Sequence, residues 1–383
     1  MLKKFAVKNY KNFKEKIEIN FDAVAGYQFS SDCICNGLIS KMLIYGRNAT
    51  GKTNLGRAVM NIHTTLFPIN RIMSNEDFRN ADSKEDSTYF AYTFEFDGTE
   101  LIYNYERFSS YELKTEELII DGNLVFRCDF QEEHYSFNNL KYINAETAYY
   151  ERYINSLDAE TAEESLEPHM PFLRWLISNV AFGKDSILIQ LANYVRRMTM
   201  ITVGNDMPFR AQKMSRLFYE MLEENDDLND LECFLNEMGI ECKLVLKKLP
   251  DGQKELYFAH EKLVPFYGNA SSGTLALVEL YRKLVFNVYN SSFVYLDEFD
   301  AFYHYEMSDN VVRFFKKKYP DSQMIMTTHN TNLMTNRLMR PDCMFILSRK
   351  GTLTALCNAT ERELREGHNL EKMYISGEFE KYE

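Results

Sequence analysis

No run of about eighteen consecutive apolar residues occurs in the 383-residue chain, so no membrane-spanning helix is expected. The opening Met1-Leu2-Lys3-Lys4-Phe5-Ala6-Val7-Lys8 lacks the apolar core of a signal peptide and alternates like a strand, which makes the cytoplasm the expected location. Paired cysteine spacing is also missing. The seven cysteines are scattered, and Cys33-Ile34-Cys35 has no matching pair, so reduced thiols are expected rather than a zinc site or a disulfide framework. Basic excess is absent: 44 basic against 56 acidic residues give a net charge of −12. That argues against a wholly basic nucleic-acid surface but leaves room for a local basic groove. Tryptophan occurs once, at Trp175, whereas 25 tyrosines and 28 phenylalanines supply a packed core and material for a protein interface.

What is present centres on Gly46-Arg47-Asn48-Ala49-Thr50-Gly51-Lys52-Thr53, which satisfies the phosphate-loop pattern G-x-x-x-x-G-K-[ST] in full. Lys41-Met42-Leu43-Ile44-Tyr45 reads as an apolar strand running into it, and residues 54–67 read as a helix running out. The two glycines let successive N–H groups turn inward at a helix N-terminus, a nest for phosphate oxygens. Lys52 is expected on the β- and γ-phosphates of ATP, and the Thr53 hydroxyl on Mg²⁺. The competing reading is a glycine turn that matches by chance, and the flanking strand and helix weigh against it.

The length suggests two or three domain-sized units, or one with a large insertion. Residues 5–10 and 17–21 alternate as strands. Residues 69–86 are polar and read as a loop. Residues 89–96, 101–105, 117–120 and 124–126 alternate again, with Asp97-Gly98 and Asp121-Gly122 as hairpin turns, giving an antiparallel meander. From about 140 to 240 the alternation fades. Residues 170–180, 187–199, 214–222 and 231–238 carry helical spacing, with a break at Asn225-Asp226-Asp227. This inserted helical region is either structural filling or a partner-docking or lid element. Strands return at 242–246 and 256–258, with a turn at Pro250-Asp251-Gly252.

Three further segments carry chemistry. Phe293-Val294-Tyr295-Leu296-Asp297-Glu298 is a buried-type strand ending in two acids, which fits a Walker B element. Asp297 would bind Mg²⁺, directly or through water, and Glu298 would orient and deprotonate the attacking water. Met324-Ile325-Met326-Thr327-Thr328-His329 ends another such strand, where His329 either contacts the γ-phosphate or its water, or simply caps the strand. Ser271-Ser272-Gly273-Thr274 precedes an apolar helix and on its own reads as an ordinary N-cap.

Taken in order, GRNATGKT, SSGT, VYLDEFD and TTH resemble an ABC-type ATPase head of the SMC/RecF/OLD-like group, over most of the chain outside 140–240. The resemblance implies an α/β fold: a mixed sheet around the phosphate loop, an antiparallel β meander and the inserted helical region. It divides the chain into an N-terminal lobe at 1–139, the insertion at 140–240 and a C-terminal lobe at 241–383. It makes Ser271, Ser272 and Gly273 the signature motif, Asp300 the D-loop acid and His329 the switch histidine. It sets Asn9-Tyr10-Lys11-Asn12-Phe13 beside the ribose, and Gln131 is the candidate Q-loop glutamine. Residues 360–371 resemble a tail of compact anti-phage ATPases of the RloA/AbiL, PARIS AriA and Septu PtuA types. The sequence departs from the group at Ala270, where relatives often carry an acid. It also lacks the heptads of a coiled-coil arm, and only 54 residues (383 − 329) follow His329, too few for a Toprim nuclease domain.

What the resemblance implies is ATP hydrolysis by a head-to-tail homodimer or higher homo-oligomer. ATP on residues 46–53 of one copy is completed by residues 271–273 of another. The expected role is control of a separate effector protein, expected to be a nuclease, in bacterial anti-phage defence. The alternatives are a RecF-like DNA-repair ATPase acting on DNA ends or gaps, and a nucleotide-dependent scaffold with negligible turnover.

Overall fold

The computed structural model describes residues 1–67, 78–146, 148–157, 169–202, 216–224, 227–287, 291–302 and 304–383. Much of the polar loop expected over 69–86, the first two residues of the helix expected over 214–222, and the break at 225–226 lie outside the described residues.

The alternating segments pair into a seven-stranded antiparallel sheet. Its order is His134–Ser136, Asn123–Asp129, Leu113–Ile120, Thr99–Arg107, Thr88–Phe96, Leu2–Lys8, Ile17–Asn20. Two of its hairpins turn on residues in the left-handed region, Asp97 (φ 51°) with Gly98 (φ 81°) and Asp121 (φ 46°) with Gly122 (φ 75°), as two-residue hairpin turns require. Every second side chain of Thr88–Phe96 is buried, so one face of this sheet covers something. It covers the helix pair that follows the phosphate loop. The Tyr92 hydroxyl donates to Ala58 O (2.9 Å) and accepts from Ile62 N (3.2 Å), and the Tyr105 hydroxyl donates to Asn61 Oδ1 (2.8 Å). The helix expected over 54–67 is two, Lys52–Val59 and Asn61–Leu66, stepping at Met60.

The other face of that helix pair meets a six-stranded sheet ordered Met198–Thr202, Phe293–Asp297, Gln323–Thr328, Lys41–Tyr45, Met344–Leu347, Leu353–Ala355. The first five run parallel and only the last is antiparallel. Their middle members are buried at every residue, the pattern of a sheet covered on both faces. Register aligns Leu296, Met326 and Leu43. One residue further on, Asp297, Thr327 and Ile44 therefore stand side by side at the C-terminal edge, where open α/β sheets bind ligands.

One expectation changes here. The helical spacing read over 187–199 ends at Arg196, and Met198–Thr202 is instead a strand beside Phe293–Asp297. The stretch 140–240 thus adds an edge strand to the nucleotide-side sheet besides its helices Phe172–Asn179, Arg216–Glu224 and Asp227–Glu237. The first of these is joined to the meander by the buried Glu116 carboxylate, which accepts from Phe172 N (2.6 Å), Leu173 N (3.0 Å) and Tyr103 Oη (2.8 Å). A small ribbon, Leu244–Lys248 with Lys254–Phe258 and Val264–Pro265, leads into the helix Ser272–Asn287. Two sheets enclosing the helices after a phosphate loop give the mixed α/β arrangement expected of an ABC-ATPase head. No helix among the described residues is long and apolar enough to cross a membrane.

Candidate nucleotide site

The loop at residues 46–53 owes its shape to its small residues. Ala49 (φ 65°) and Gly51 (φ 101°) take the left-handed conformation. A side-chain carbon added at Gly51 would lie 2.1 Å from Asn12 Nδ2, and one at Gly46 would lie 2.5 Å from Thr50 Oγ1. The Asn12 and Thr50 side chains therefore close onto the loop backbone here as only glycine allows. Asn12, in the turn after the first strand, fastens the loop from outside: its Nδ2 donates to Thr50 O (2.9 Å) and its Oδ1 accepts from Asn54 Nδ2 (2.9 Å). Within the loop, Lys52 Nζ donates to Gly46 O (2.8 Å) and Arg47 O (3.2 Å).

The strand Phe293–Asp297 packs against the loop's helix through alternate residues. Tyr295 and Asp297 share a face, and they meet the helix one turn apart. The Tyr295 ring lies over Gly56, where an added carbon would fall 2.5 Å from it, and its hydroxyl donates to Lys52 O (2.5 Å). Asp297 Oδ2 accepts from the Thr53 hydroxyl (2.7 Å), and Asp297 Oδ1 from the Thr327 hydroxyl (2.9 Å). The same Thr327 oxygen accepts from Glu298 N (2.9 Å). Burial pushes the Asp297 carboxyl above the usual carboxylate range, opposed by the Thr53 and Thr327 hydroxyls. Glu298 leaves the strand at φ 46°, and this turn brings its half-exposed carboxylate to 3.7 Å from Lys52 Nζ. A left-handed glutamate costs about 1 kcal/mol or more, strain of the kind found at functional positions.

Asp300 lies behind, buried, with Oδ2 accepting from the Thr328 hydroxyl (2.6 Å) and Oδ1 among the buried oxygens without a hydrogen-bond partner. Burial raises this carboxyl too, opposed by Thr328. The Tyr45 hydroxyl is a second unpartnered buried group, pushed well above its ordinary pKa by burial and then by the Asp300 charge. His329, just past Thr328, lines a cavity of about 280 Å³ with Tyr45, Gly46, Arg47, Asn48 and Tyr374.

The fold therefore gathers residues 46–53, Asp297, Glu298 and His329 at one sheet edge. It does not bring residues 271–273 to the loop of the same chain. Ser271 and Ser272 are exposed where the helix Ser272–Asn287 begins. Ser271 Oγ accepts from Thr274 N (3.1 Å), and Gly273 lies against Phe302 O, which an added carbon would meet at 3.3 Å. Gln131 falls in an exposed turn before His134–Ser136, at the edge of the antiparallel sheet away from the Asn12 turn, so it is not beside the loop. Sequence reasoning missed the Asn12 clamp, the Thr327 and Thr328 hydroxyls and the Arg47 ion pair with Glu383. The two threonines were in view, since each directly precedes a polar strand tip.

The residues fit a nucleotide with Mg²⁺. Thr53 and Asp297 already touch, as neighbouring ligands of one small hard cation would, with phosphate and water oxygens completing the shell. The N-terminus of the helix Lys52–Val59 and the Lys52 ammonium, held at the loop by Gly46 O and Arg47 O, are the groups that would hold phosphate. Glu298 stands beside Lys52 with its carboxylate half-exposed, as a water-orienting base requires.

Among solved structures the chain is similar to an SMC head bound to the C-winged helix domain of ScpA (16% identity, TM-score 0.47), covering 92% of this chain and 96% of that one. It is similar to the SMC head domain from Thermotoga maritima (14%, TM-score 0.41; 90% and 94% covered). It is also similar to an SMC head with an extended coiled coil bound to the C-terminal domain of ScpA, from Pyrococcus furiosus (16%, TM-score 0.43; 99% of each covered). No curated protein matches the sequence. The family model described as "AAA domain, putative AbiEii toxin, Type IV TA system" matches residues 41–335, from the first residue of the phosphate-loop strand to beyond His329. With most of its length inside that match, the chain belongs to this AAA domain family.

Proposed function

We propose that this protein is a Mg²⁺-dependent ATPase whose ATP-bound form pairs with a second copy of itself. The observation that carries the reading is the chain of contacts Thr53–Asp297–Thr327 beneath the Lys52–Glu298 pair. It joins a metal-ligand pair, a phosphate-binding cation and a water-orienting carboxylate within one hydrogen-bonded unit. Glu298 is the general base, Lys52 and the loop N–H groups hold the phosphates, Thr53 and Asp297 hold Mg²⁺, and His329 stabilises the reacting phosphate.

Pairing follows from what a single chain leaves open. Ser271 and Ser272 stand exposed at the start of a 16-residue helix, away from their own chain's loop. Beside them Phe302 (41% exposed) and Tyr305 (51%) present apolar surface to solvent. A second copy, turned head to tail, offers these groups to the phosphates. The nucleotide then joins the subunits, and hydrolysis releases them. In the cell this cycle holds or frees a separately encoded effector in anti-phage defence. The family description, which names a toxin of a Type IV TA system, supports a role in a two-component system of this kind.

ATP turnover with Mg²⁺, absent after chelation and reduced in Glu298→Gln, is the test. Turnover that is unaffected by Glu298→Gln overturns the mechanism. Co-purification from the native operon tests the effector, and a chain that stays alone with every neighbouring product removes that part.

A further inference from the structure

We propose that Arg47 reads the terminal phosphate of the bound nucleotide, and that the Glu383 carboxylate is the internal anion it releases to do so. The proposal rests on the reading of residues 46–53 as a nucleotide cradle.

Arg47 is the second residue of the loop. Its guanidinium does not fold inward beside Lys52. It forms an ion pair with the Glu383 side chain, 336 residues away, and bonds the Tyr374 hydroxyl. Burial first, and then the bond to Glu383, pushes Tyr374 up to about 12, so it remains a neutral donor at physiological pH. The segment carrying these groups is built into the fold. Leu370 and Phe379 are buried, and Asn369 caps the helix Leu370–Ile375 by accepting from Lys372 N (2.8 Å). Asn336 Nδ2 donates to Arg365 O (2.8 Å), and Arg349 N donates to Glu383 O (3.3 Å).

Position supplies the ligand. Arg47 and Tyr374 line the same cavity as His329, which follows the strand carrying Thr327. In the proposed reading His329 meets the reacting phosphate, so this cavity takes the terminal phosphate of a triphosphate, a group that a diphosphate lacks. A guanidinium matches two phosphate oxygens as well as it matches a carboxylate. The existing pair is exchangeable, because the Arg47 side chain is 59% exposed and such pairs are weak, while the Glu383 side chain is only 13% exposed. A carboxylate at the cradle mouth also repels a polyphosphate. Glu383 and a terminal phosphate therefore compete for the same guanidinium. A triphosphate takes Arg47 over, and the segment at 370–383 loosens.

The test titrates the full chain with the non-hydrolysable analogue AMP-PNP and with ADP, both with Mg²⁺, by calorimetry. Glu383→Gln should tighten AMP-PNP by about threefold or more, through removal of one like charge, and move ADP by less than about twofold. Arg47→Ala should weaken AMP-PNP by about tenfold and leave ADP nearly unchanged. Hydrogen exchange over 370–383 should quicken with AMP-PNP but not with ADP. Equal effects of the two substitutions on both nucleotides, or none, overturn the proposal. If Lys52→Ala alone removes binding while both other variants behave as the parent, the cradle stands and this inference falls. If the parent chain binds neither nucleotide, the cradle reading falls and takes this inference with it.

Discussion

Two stretches of this chain face a nucleotide in the proposed account, and they are built differently. The loop at residues 46–53 is held from every side by its own chain: Asn12 from the meander turn, Tyr295 and Asp297 from the neighbouring strand, Lys52 from within. Among the described residues, the segment at 271–273 is held by its own turn, Ser271 to Thr274, and by the near approach of Gly273 to Phe302 O. The first is finished without a partner. The second uses its Ser271 hydroxyl within its own turn and, among the described residues, holds no other loop. What joins them is the turn after Glu298, which touches Lys52 at one end and Gly273 at the other. A loss of phosphate on one side therefore has a short path to the other.

That contrast predicts a division of effects. Lys52→Ala should weaken nucleotide binding by about a hundredfold or more, since a charge-assisted contact is lost from a loop built around it. Ser272→Arg should leave binding by the monomer within about twofold and abolish the ATP-dependent dimer. Calorimetry and light scattering separate the two, and loss of nucleotide binding in both variants breaks the comparison. Next in size, Glu298→Gln should lower turnover by about 10²- to 10⁴-fold while retaining the nucleotide, so that a larger species persists with ATP. Normal hydrolysis by that variant removes Glu298 as the base.

Stability should divide the same way. Gly56→Ala forces a carbon to 2.5 Å from the Tyr295 ring and should cost about 1–3 kcal/mol in a thermal or denaturant melt. Ser272→Ala, on the exposed side, should stay within about 0.5 kcal/mol. A further effect concerns pH. Burial raises Asp297 and Asp300 above their ordinary values, so the folded chain holds these protons more tightly than the unfolded chain. Their contribution to stability is complete below the usual carboxylate value and is lost as pH rises through the raised one. Asp297→Asn should therefore raise the melting temperature of the nucleotide-free chain by a few degrees at neutral pH, with the gain vanishing towards about pH 3. An equal gain at every pH contradicts this origin.

The elements with local signals were legible in the sequence. The loop pattern, the hairpins at Asp97-Gly98 and Asp121-Gly122, and the two apolar strands ending in Asp297 and Thr328 all stand where periodicity and turn chemistry set them. Met198–Thr202 was not legible as a strand. It follows an amphipathic helix after one residue, and its partner, Phe293–Asp297, lies almost a hundred positions away. Its Thr199, Ile201 and Thr202 carried the β-branched signal, but a helical period extended over it hid that signal. The Asn12 clamp and the Arg47–Glu383 pair were hidden for the same reason, because each is a contact between distant segments with no local pattern. The separation of residues 271–273 from the loop is a statement about space. No spacing along the chain contains it.

Mixing two inactive variants tests the central claim most directly. A Lys52→Ala protomer keeps an intact 271–273 segment, and a Ser272→Arg protomer keeps an intact loop. If each ATP site is shared between two copies, an equal mixture forms dimers with one whole site. It should then hydrolyse ATP at up to about a quarter of the parent rate, because half the dimers are mixed and each has one of two sites. A mixture as inactive as either variant alone would contradict the shared site and leave the loop at residues 46–53 working within a single chain.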